Sequence, residues 1–185
     1  IVNECCASTN VYTEPLTGYE AKAGHVGGIV GAIVPGVQDV LVINCTYYGG
    51  EVIDKGTGHG AAGGVVGSAA FSYSVGDLSR NYIVNCFANP SAVSTQNFAS
   101  GGVVGYLCRM TIDNCYSPTP ESKLYSKVAS ACRGSVVGIM RRGGHINHSF
   151  ALFQGSSSYD KNTGSSESGY TAYYEMYDNM NDWNY

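Results

Sequence analysis

Seven cysteines and four histidines are the side chains of this sequence best suited to nucleophilic or metal chemistry. Three cysteines, Cys45, Cys86 and Cys115, each follow an asparagine in the pattern Ile/Val-x-Asn-Cys. Three interpretations stay open for them: small buried apolar residues, partners in a disulfide, or metal ligands. The first is favoured because unpaired cysteine is among the most buried residue types. No Cys-x-x-Cys spacing occurs, so we predict no metal site.

The remaining cysteines and the histidines form no recognisable catalytic pattern. The sequence contains no Gly-x-Ser-x-Gly elbow, no His-Glu-x-x-His helix and no phosphate-binding glycine loop. Cys5 and Cys6 beside a histidine are a minor alternative as a nucleophile site, and Cys108 with Cys132 is a further candidate pair. The sequence therefore predicts a chain without catalysis or cofactor of its own.

Arginine offers a possible anion site. Arg109 and Arg142 each stand four residues after the last glycine of a recurring motif, and Arg141 is adjacent. If the repeats stack, the two guanidinium groups lie on neighbouring strands roughly 4.8 Å apart, so they need an anion or water between them. The alternatives are contact with acidic residues of the tail, binding of a glycan carboxylate or sulfate, and plain solvation.

The tail after residue 154 is acidic and rich in tyrosine. Tyr173, Tyr174 and Trp183 are candidates for a sugar-stacking platform. A packed cap is the favoured alternative, because buried aromatic clusters commonly place their polar atoms at a rim.

A glycine-valine motif recurs four times and must position these side chains. Its copies begin at Gly27, Gly63, Gly101 and Gly134, and an Ile/Val-x-Asn-Cys-like segment follows each. The copies are 36, 38 and 33 residues apart. Such a period is typical of solenoids, propellers and arrays, whose units bury apolar faces against one another. The pattern predicts an all-β fold: a right-handed, β-helix-like solenoid of about four coils with a C-terminal Tyr-rich cap.

The paired motifs resemble the GLUG-motif repeat, Gly-Gly-Leu/Val-Val-Gly followed by Ile-x-Asn-Cys/Ser-Tyr/Phe-Ala. Cys86-Phe87-Ala88 and Ser149-Phe150-Ala151 match the end of that pattern, and the likeness covers about residues 24 to 151. The chain departs from it at Thr46, Ser135 and His148. The resemblance implies β-solenoid-like repeats of bacterial secreted or surface proteins, either adhesin-like or beside the catalytic part of an immunoglobulin-cleaving peptidase.

Several repeat positions carry structural expectations. Strand alternation predicts that the two apolar residues of each motif, Ile29 and Val30 in the first copy and two valines in the others, point to opposite faces. The last glycine of each motif should turn the chain at a corner through positive φ or close backbone approach; these are Gly31, Gly67, Gly105 and Gly138. Asn44, Asn85 and Asn114 should stack as a ladder. We expect Asn44 to be buried there and hence closed to glycosylation, although Asn44-Cys45-Thr46 matches the acceptor pattern.

We predict two regions. Residues 1–154 form the GLUG-like repeats, with units near 1–23, 24–60, 61–98, 99–131 and 132–154. Residues 155–185 form a Ser/Gly linker and the acidic cap. The chain starts inside a repeat and without Met, which we interpret as a fragment of a larger protein.

The charge and hydropathy of the sequence limit the kinds of partner that we expect for this chain. Residues 1–154 hold nine acidic and nine basic residues, which gives no long-range attraction for nucleic acid. No apolar run is long enough to span a membrane. We therefore predict a non-catalytic module of a bacterial secreted or cell-surface protein, which adheres or binds a glycan or a host protein. The alternatives are an accessory region of a larger peptidase or glycan-degrading enzyme, and a glycan lyase acting near Arg109 and Arg142.

Overall fold

The protein is built from short parallel β-strands. The structure, a computed structural model, describes residues 1–14, 24–34, 39–56, 58, 60–69, 80–96, 98–127, 133–141, 144–151 and 163–166. Within these residues the secondary structure is β apart from one 3-10 helix, Glu121–Lys123. Every strand pairing described is parallel.

Two of the five sheets hold the Ile/Val-x-Asn-Cys-aromatic segments, one sheet on each side of the Asn-Cys pair. Sheet A consists, in spatial order, of β1 (Val2–Asn3), β6 (Leu41–Ile43), β11 (Tyr82–Val84), β16 (Thr111–Asp113) and β21 (His145–Asn147). Sheet B consists of β2 (Cys6–Ala7), β7 (Thr46–Tyr48), β12 (Phe87–Asn89), β17 (Tyr116–Ser117) and β22 (Phe150–Ala151).

The other three sheets hold the connections and the glycine-valine motifs. Sheet C consists of β3 (Val11–Thr13), β8 (Glu51–Asp54), β13 (Ala92–Thr95) and β18 (Leu124–Ser126). Sheet D consists of β4 (His25–Gly27), β9 (Ala61–Gly63), β14 (Ala99–Gly101) and β19 (Arg133–Gly134). Sheet E consists of β5 (Val30–Ile33), β10 (Val66–Ala69), β15 (Val104–Cys108), β20 (Val137–Arg141) and β23 (Thr163–Ser166).

Equivalent residues of successive units are neighbours in every sheet. Ile83 of sheet A, for example, pairs with Val42 on one side and Ile112 on the other, and all three are fully buried. Parallel strands that return to the same sheet once per unit are the pattern of a β-solenoid. The all-β, solenoid-like part of the prediction is therefore confirmed.

The two valines of each motif pack into the same core, so the expectation of opposite faces is wrong. Val65 and Val66 are both fully buried and belong to one apolar cluster with Ile83 and Leu107. The chain bends at Gly64 and Val65, before β10 begins. Because the first valine lies in the bend rather than in a straight strand, the alternation of strand side chains does not apply to it.

The last glycines of the motifs lie inside strands, so the prediction that they turn the chain at a corner with positive φ is wrong, whereas the alternative expectation of close backbone approach is confirmed. Gly31, Gly67, Gly105 and Gly138 fall within β5, β10, β15 and β20, and Gly49 has the only positive φ among the described glycines. The absence of a side chain at these glycines leaves room for the backbone of a neighbouring strand. A Cβ on Gly67 would lie 2.6 Å from the backbone of Val26, and one on Gly138 would lie 2.6 Å from the Ser100 carbonyl oxygen. Sheets D and E therefore approach each other backbone to backbone.

Most of the predicted linker and cap lies outside the described residues. From residues 155–185 the structure describes 163–166, where β23 pairs with β20. Among the described residues no helix has the length and apolar character that crossing a membrane requires.

Candidate functional site

The chain passes from sheet A to sheet B through a left-handed residue in every unit. These residues are Glu4, Asn44, Asn85, Asn114 and His148, with φ between 41° and 56°. Asparagine tolerates this backbone better than most L-residues because its short polar side chain can bond locally. The Asn44 N–H donates to the Val84 carbonyl and the Asn85 N–H to the Asp113 carbonyl, both at 3.1 Å. The turn thus repeats in register from unit to unit.

The side chains at this turn form a hydrogen-bonded amide row. Asn114 Nδ2 donates to Asn85 Oδ1 at 2.7 Å, and Asn85 Nδ2 donates to Asn44 Oδ1 at 3.3 Å. Asn44 Nδ2 donates in turn to Asn3 Oδ1 at 3.3 Å. Asn44, Asn85 and Asn114 are exposed, so the expectation that Asn44 is buried is wrong. The turn directs these side chains outward and the following cysteine inward.

An aromatic pair lies beside the amide row. Phe87 and Tyr116 are neighbours in sheet B, half-buried, with ring centroids 5.6 Å apart. Because side chains alternate along a strand, each ring is on the outer face while the next residue, Ala88 or Ser117, is buried. We call Asn44, Asn85, Asn114, Phe87 and Tyr116 together the amide–aromatic face. The sequence signal for the rings was the aromatic residue that follows most Asn-Cys pairs.

A histidine and a carboxylate mark one end of this face. His148 Nδ1 lies 2.9 Å from Asp113 Oδ1, and both side chains are exposed to solvent in part. His148 occupies the left-handed position of its unit, so it continues the column of turn residues. This end of the face therefore carries ionisable side chains beside the uncharged amides.

A column of thiols lies directly behind the amide row. Its members Cys5, Cys45, Cys86 and Cys115 contain free thiols, and Ser149 holds the equivalent position in the next unit. Cys86 donates to the Val84 carbonyl at 3.2 Å and Cys115 to the Asp113 carbonyl at 3.3 Å, each two residues back. The Ser149 hydroxyl makes the same bond to Asn147 at 2.7 Å, which explains why serine fits there.

Adjacent units are joined through this column. The Cys86 N–H donates to Cys115 Sγ at 3.4 Å, and the Cys115 N–H donates to Ser149 Oγ at 3.0 Å. Burial raises the pKa of the Cys45 thiol and raises that of Cys115 strongly. Cys45 and Cys115 are therefore held as neutral thiols, whereas the hydrogen bond with Cys115 lowers the pKa of the Cys86 thiol.

The structure contains a buried polar cluster that the sequence analysis does not predict. The Asp54 carboxylate is fully buried and accepts hydrogen bonds from the hydroxyls of Thr13 and Thr95, both at 2.8 Å. It also accepts the Gly56 N–H at 2.9 Å. Thr13, Asp54 and Thr95 are register partners in sheet C, so their spacing of 41 residues was the available signal. The cluster ties three units together at the end of that sheet.

His25 lies close to this cluster on sheet D. Burial lowers the pKa of His25, and the charge of the Asp54 carboxylate opposes that shift in part. The neutral imidazole is consequently favoured in the folded protein.

The predicted arginine site is described only in part. Arg109 follows β15, is half-buried and has a left-handed φ of 51°. Arg141 ends β20, where its register partner is Cys108. Arg142 lies outside the described residues, as do Cys132, Tyr173, Tyr174 and Trp183. The adjacency of the two guanidinium groups thus stays a prediction.

Within the part of the chain that the structure describes, no group of three or more His, Cys, Asp or Glu side chains is arranged to hold a metal ion. The described surface therefore offers the amide–aromatic face as its candidate binding site. Comparison with known proteins adds no assignment, because no family model, no curated protein and no solved structure matches this chain.

Proposed function

We propose that this chain is a non-catalytic repeat module of a bacterial secreted or cell-surface protein and binds a glycan through the amide–aromatic face. In this proposal the repeats form a right-handed β-helix of about four coils, since parallel crossovers are right-handed in nearly all proteins. The Tyr-rich tail caps its C-terminal end. The resemblance of the paired motifs to GLUG repeats supports the cellular location.

The observation that carries the proposal is the exposed amide row beside the aromatic pair. An asparagine side chain has two N–H donors and an oxygen with two lone pairs. Asn85 uses one N–H and one lone pair within the row, so one donor and one acceptor remain for a ligand. Sugar hydroxyls can donate and accept, which suits such paired groups.

The rings supply the second requirement of sugar recognition. Phe87 and Tyr116 present apolar surface beside the amides, against which the C–H face of a sugar ring can pack. Residues 1–154 are formally neutral, and the amide–aromatic side chains themselves carry no charge. An uncharged glycan therefore fits this face better than a nucleic acid or a strongly anionic polymer.

A glycan array comparing the wild-type chain with Tyr116→Ala tests the proposal. Loss of one stacking ring should weaken binding of the retained glycans by about tenfold, the equivalent of 1.4 kcal/mol. Tyr125→Ala is the matched control, because Tyr125 is an exposed tyrosine of sheet C, remote from the amide row in the strand order. Identical profiles for all three proteins would remove the amide–aromatic face from consideration.

The same array separates this face from the arginine site. Arg109→Ala and Arg142→Ala should leave binding of uncharged glycans unchanged. If these two variants lose binding of sulfated or carboxylated glycans while Tyr116→Ala retains it, the site belongs to the arginines instead.

A further inference from the structure

We propose that Cys5 and Cys45 form a thiol–disulfide exchange site, which reacts with a small-molecule disulfide and closes into a cross-link between the first two units. The observation is that the register places Cys5 in the thiol column. Val2 pairs with Val42, and the Thr46 N–H donates to the Cys5 carbonyl at 2.8 Å, so Cys5 is the register equivalent of Cys45. The inference is independent of glycan binding.

The spacing of the pair suits a disulfide. Neighbouring strands of a sheet lie about 4.8 Å apart, within the range of 4.4–6.8 Å that Cα atoms of bonded cysteines span. Both side chains point to the same interior, since each lies one residue after a left-handed turn residue, Glu4 or Asn44. No large rearrangement is needed to join the two sulfurs.

Access singles out this pair from the rest of the column. Cys5 is half-buried, whereas Cys86 and Cys115 are 2% and 0% exposed. A reagent from solvent therefore reaches Cys5 first. Cys6 is exposed, but it pairs with Thr46 in sheet B, where its side chain faces away from the column. Because consecutive side chains of a strand point in opposite directions, a Cys5–Cys6 bond requires distortion that Cys5–Cys45 does not.

The exchange proceeds in two steps. The Cys5 thiolate attacks one sulfur of a disulfide R–S–S–R, forming Cys5–S–S–R and releasing R–S⁻. Cys45 then gives its proton to that released thiolate and attacks the Cys5 sulfur, which expels the second R–S⁻. Two cysteine thiols are oxidised to one disulfide, and the small disulfide is reduced to two thiols. The product ties β1 and β2 to β6 and β7.

The test is oxidation of the full chain with glutathione disulfide, followed by alkylation of remaining thiols and mass mapping of unreduced peptides. We expect a Cys5–Cys45 peptide and five alkylated cysteines out of the seven in the chain. Hydrogen exchange should slow at least tenfold in β1 and β2 of the oxidised protein, because fraying of that edge would break the new link.

Two variants make the assignment specific. Cys6→Ser is the matched control and should cross-link as the wild-type chain does. Cys5→Ser alters a half-buried residue and keeps its size and polarity close to those of cysteine; it should yield no cross-link and leave Cys45 alkylated, with an unchanged β-sheet spectrum by circular dichroism. A Cys5–Cys6 or Cys86–Cys115 peptide as the main product overturns the proposal, as does a glutathione adduct confined to Cys6.

Discussion

The chain changes from one sheet to the next at two kinds of bend, and these bends place different requirements on their residues. At the asparagine bend, between sheets A and B, the turn residues are Glu4, Asn44, Asn85, Asn114 and His148, all with left-handed φ. At the glycine bend, between sheets D and E, no motif glycine has a positive φ. A Cβ there would instead collide with backbone: that of Gly64 would overlap the Gly102 carbonyl oxygen of the next unit.

The asparagine bend therefore requires residues that tolerate a left-handed backbone conformation. The glycine bend requires residues whose side chains are small enough to fit between neighbouring backbones. A conformational demand is satisfied by several polar residues, which is why glutamate and histidine replace asparagine at the ends of the column. A spatial demand admits only residues that fit between two backbones. Ser135 stands at the middle glycine position of the last described motif, where it is buried at 1% exposure.

The largest effect should come from filling the glycine bend. Gly64→Ala places a methyl group against the Gly102 carbonyl and 2.7 Å from Ala88 Cβ, so neighbouring backbones must move apart. We expect a loss of about 3 kcal/mol in the free energy of unfolding, measured by denaturant titration. Ser135→Ala is the control. Its hydroxyl is buried without a hydrogen-bond partner among the described residues, so its removal should be neutral or stabilising. Equal midpoints for the two variants would contradict a spatial role for the glycine.

A smaller effect should distinguish conformation from side chain at the asparagine bend. Asn85→Gly and Asn85→Ala both remove the amide bonds to Asn44 and Asn114, but only glycine adopts φ 52° without strain. Alanine should therefore be less stable than glycine by about 1 kcal/mol in thermal or denaturant unfolding. If the two variants unfold at the same denaturant concentration, the left-handed φ is not what this bend selects.

The smallest effect concerns the histidines beside the two bends. The pKa of His25 is lowered from 6.5 by burial, so the unfolded chain binds a proton more readily than the folded protein below that pH. The free energy of unfolding should consequently fall as the pH decreases from 7.5 to 5.5. His25→Gln should weaken this pH dependence, while His148→Gln keeps His25 and should therefore keep its contribution. Unfolding curves of the three proteins at the two pH values check the difference.

The sequence predicted the stacking better than it predicted what each repeated residue does. The period of the glycine-valine motif and the following Asn-Cys pairs sufficed for parallel, in-register strands, because like residues must meet their equivalents. A repeated glycine, however, looks the same whether it supplies a conformation or space, so the sequence left both alternatives open for Gly31, Gly67, Gly105 and Gly138 and did not place these residues inside strands. A repeated asparagine is similarly ambiguous, since it can stack in the interior or on the surface, and the expected burial of Asn44 was therefore wrong.

The sequence does contain evidence that the column of turn residues is exposed. Glu4 and His148 share the column of Asn44, and a position that accepts glutamate is rarely buried without a partner. The Asp54 cluster gave a weaker signal, because its equally spaced residues differ in type and belong to no recurring motif. The left-handed bend could not be read from residue types alone, and it decides which side chains of the Asn-Cys pair face the solvent.

The amide row also has a sense of direction. Asn114, Asn85 and Asn44 each give a hydrogen to the preceding unit, the last of them to Asn3, so all the dipoles of the row are aligned head to tail. A linear molecule laid along the row would meet donors and acceptors in one order, and in the reverse order if turned end for end. For the proposed glycan binding, this alignment predicts a preference for one of the two polarities of an otherwise identical chain.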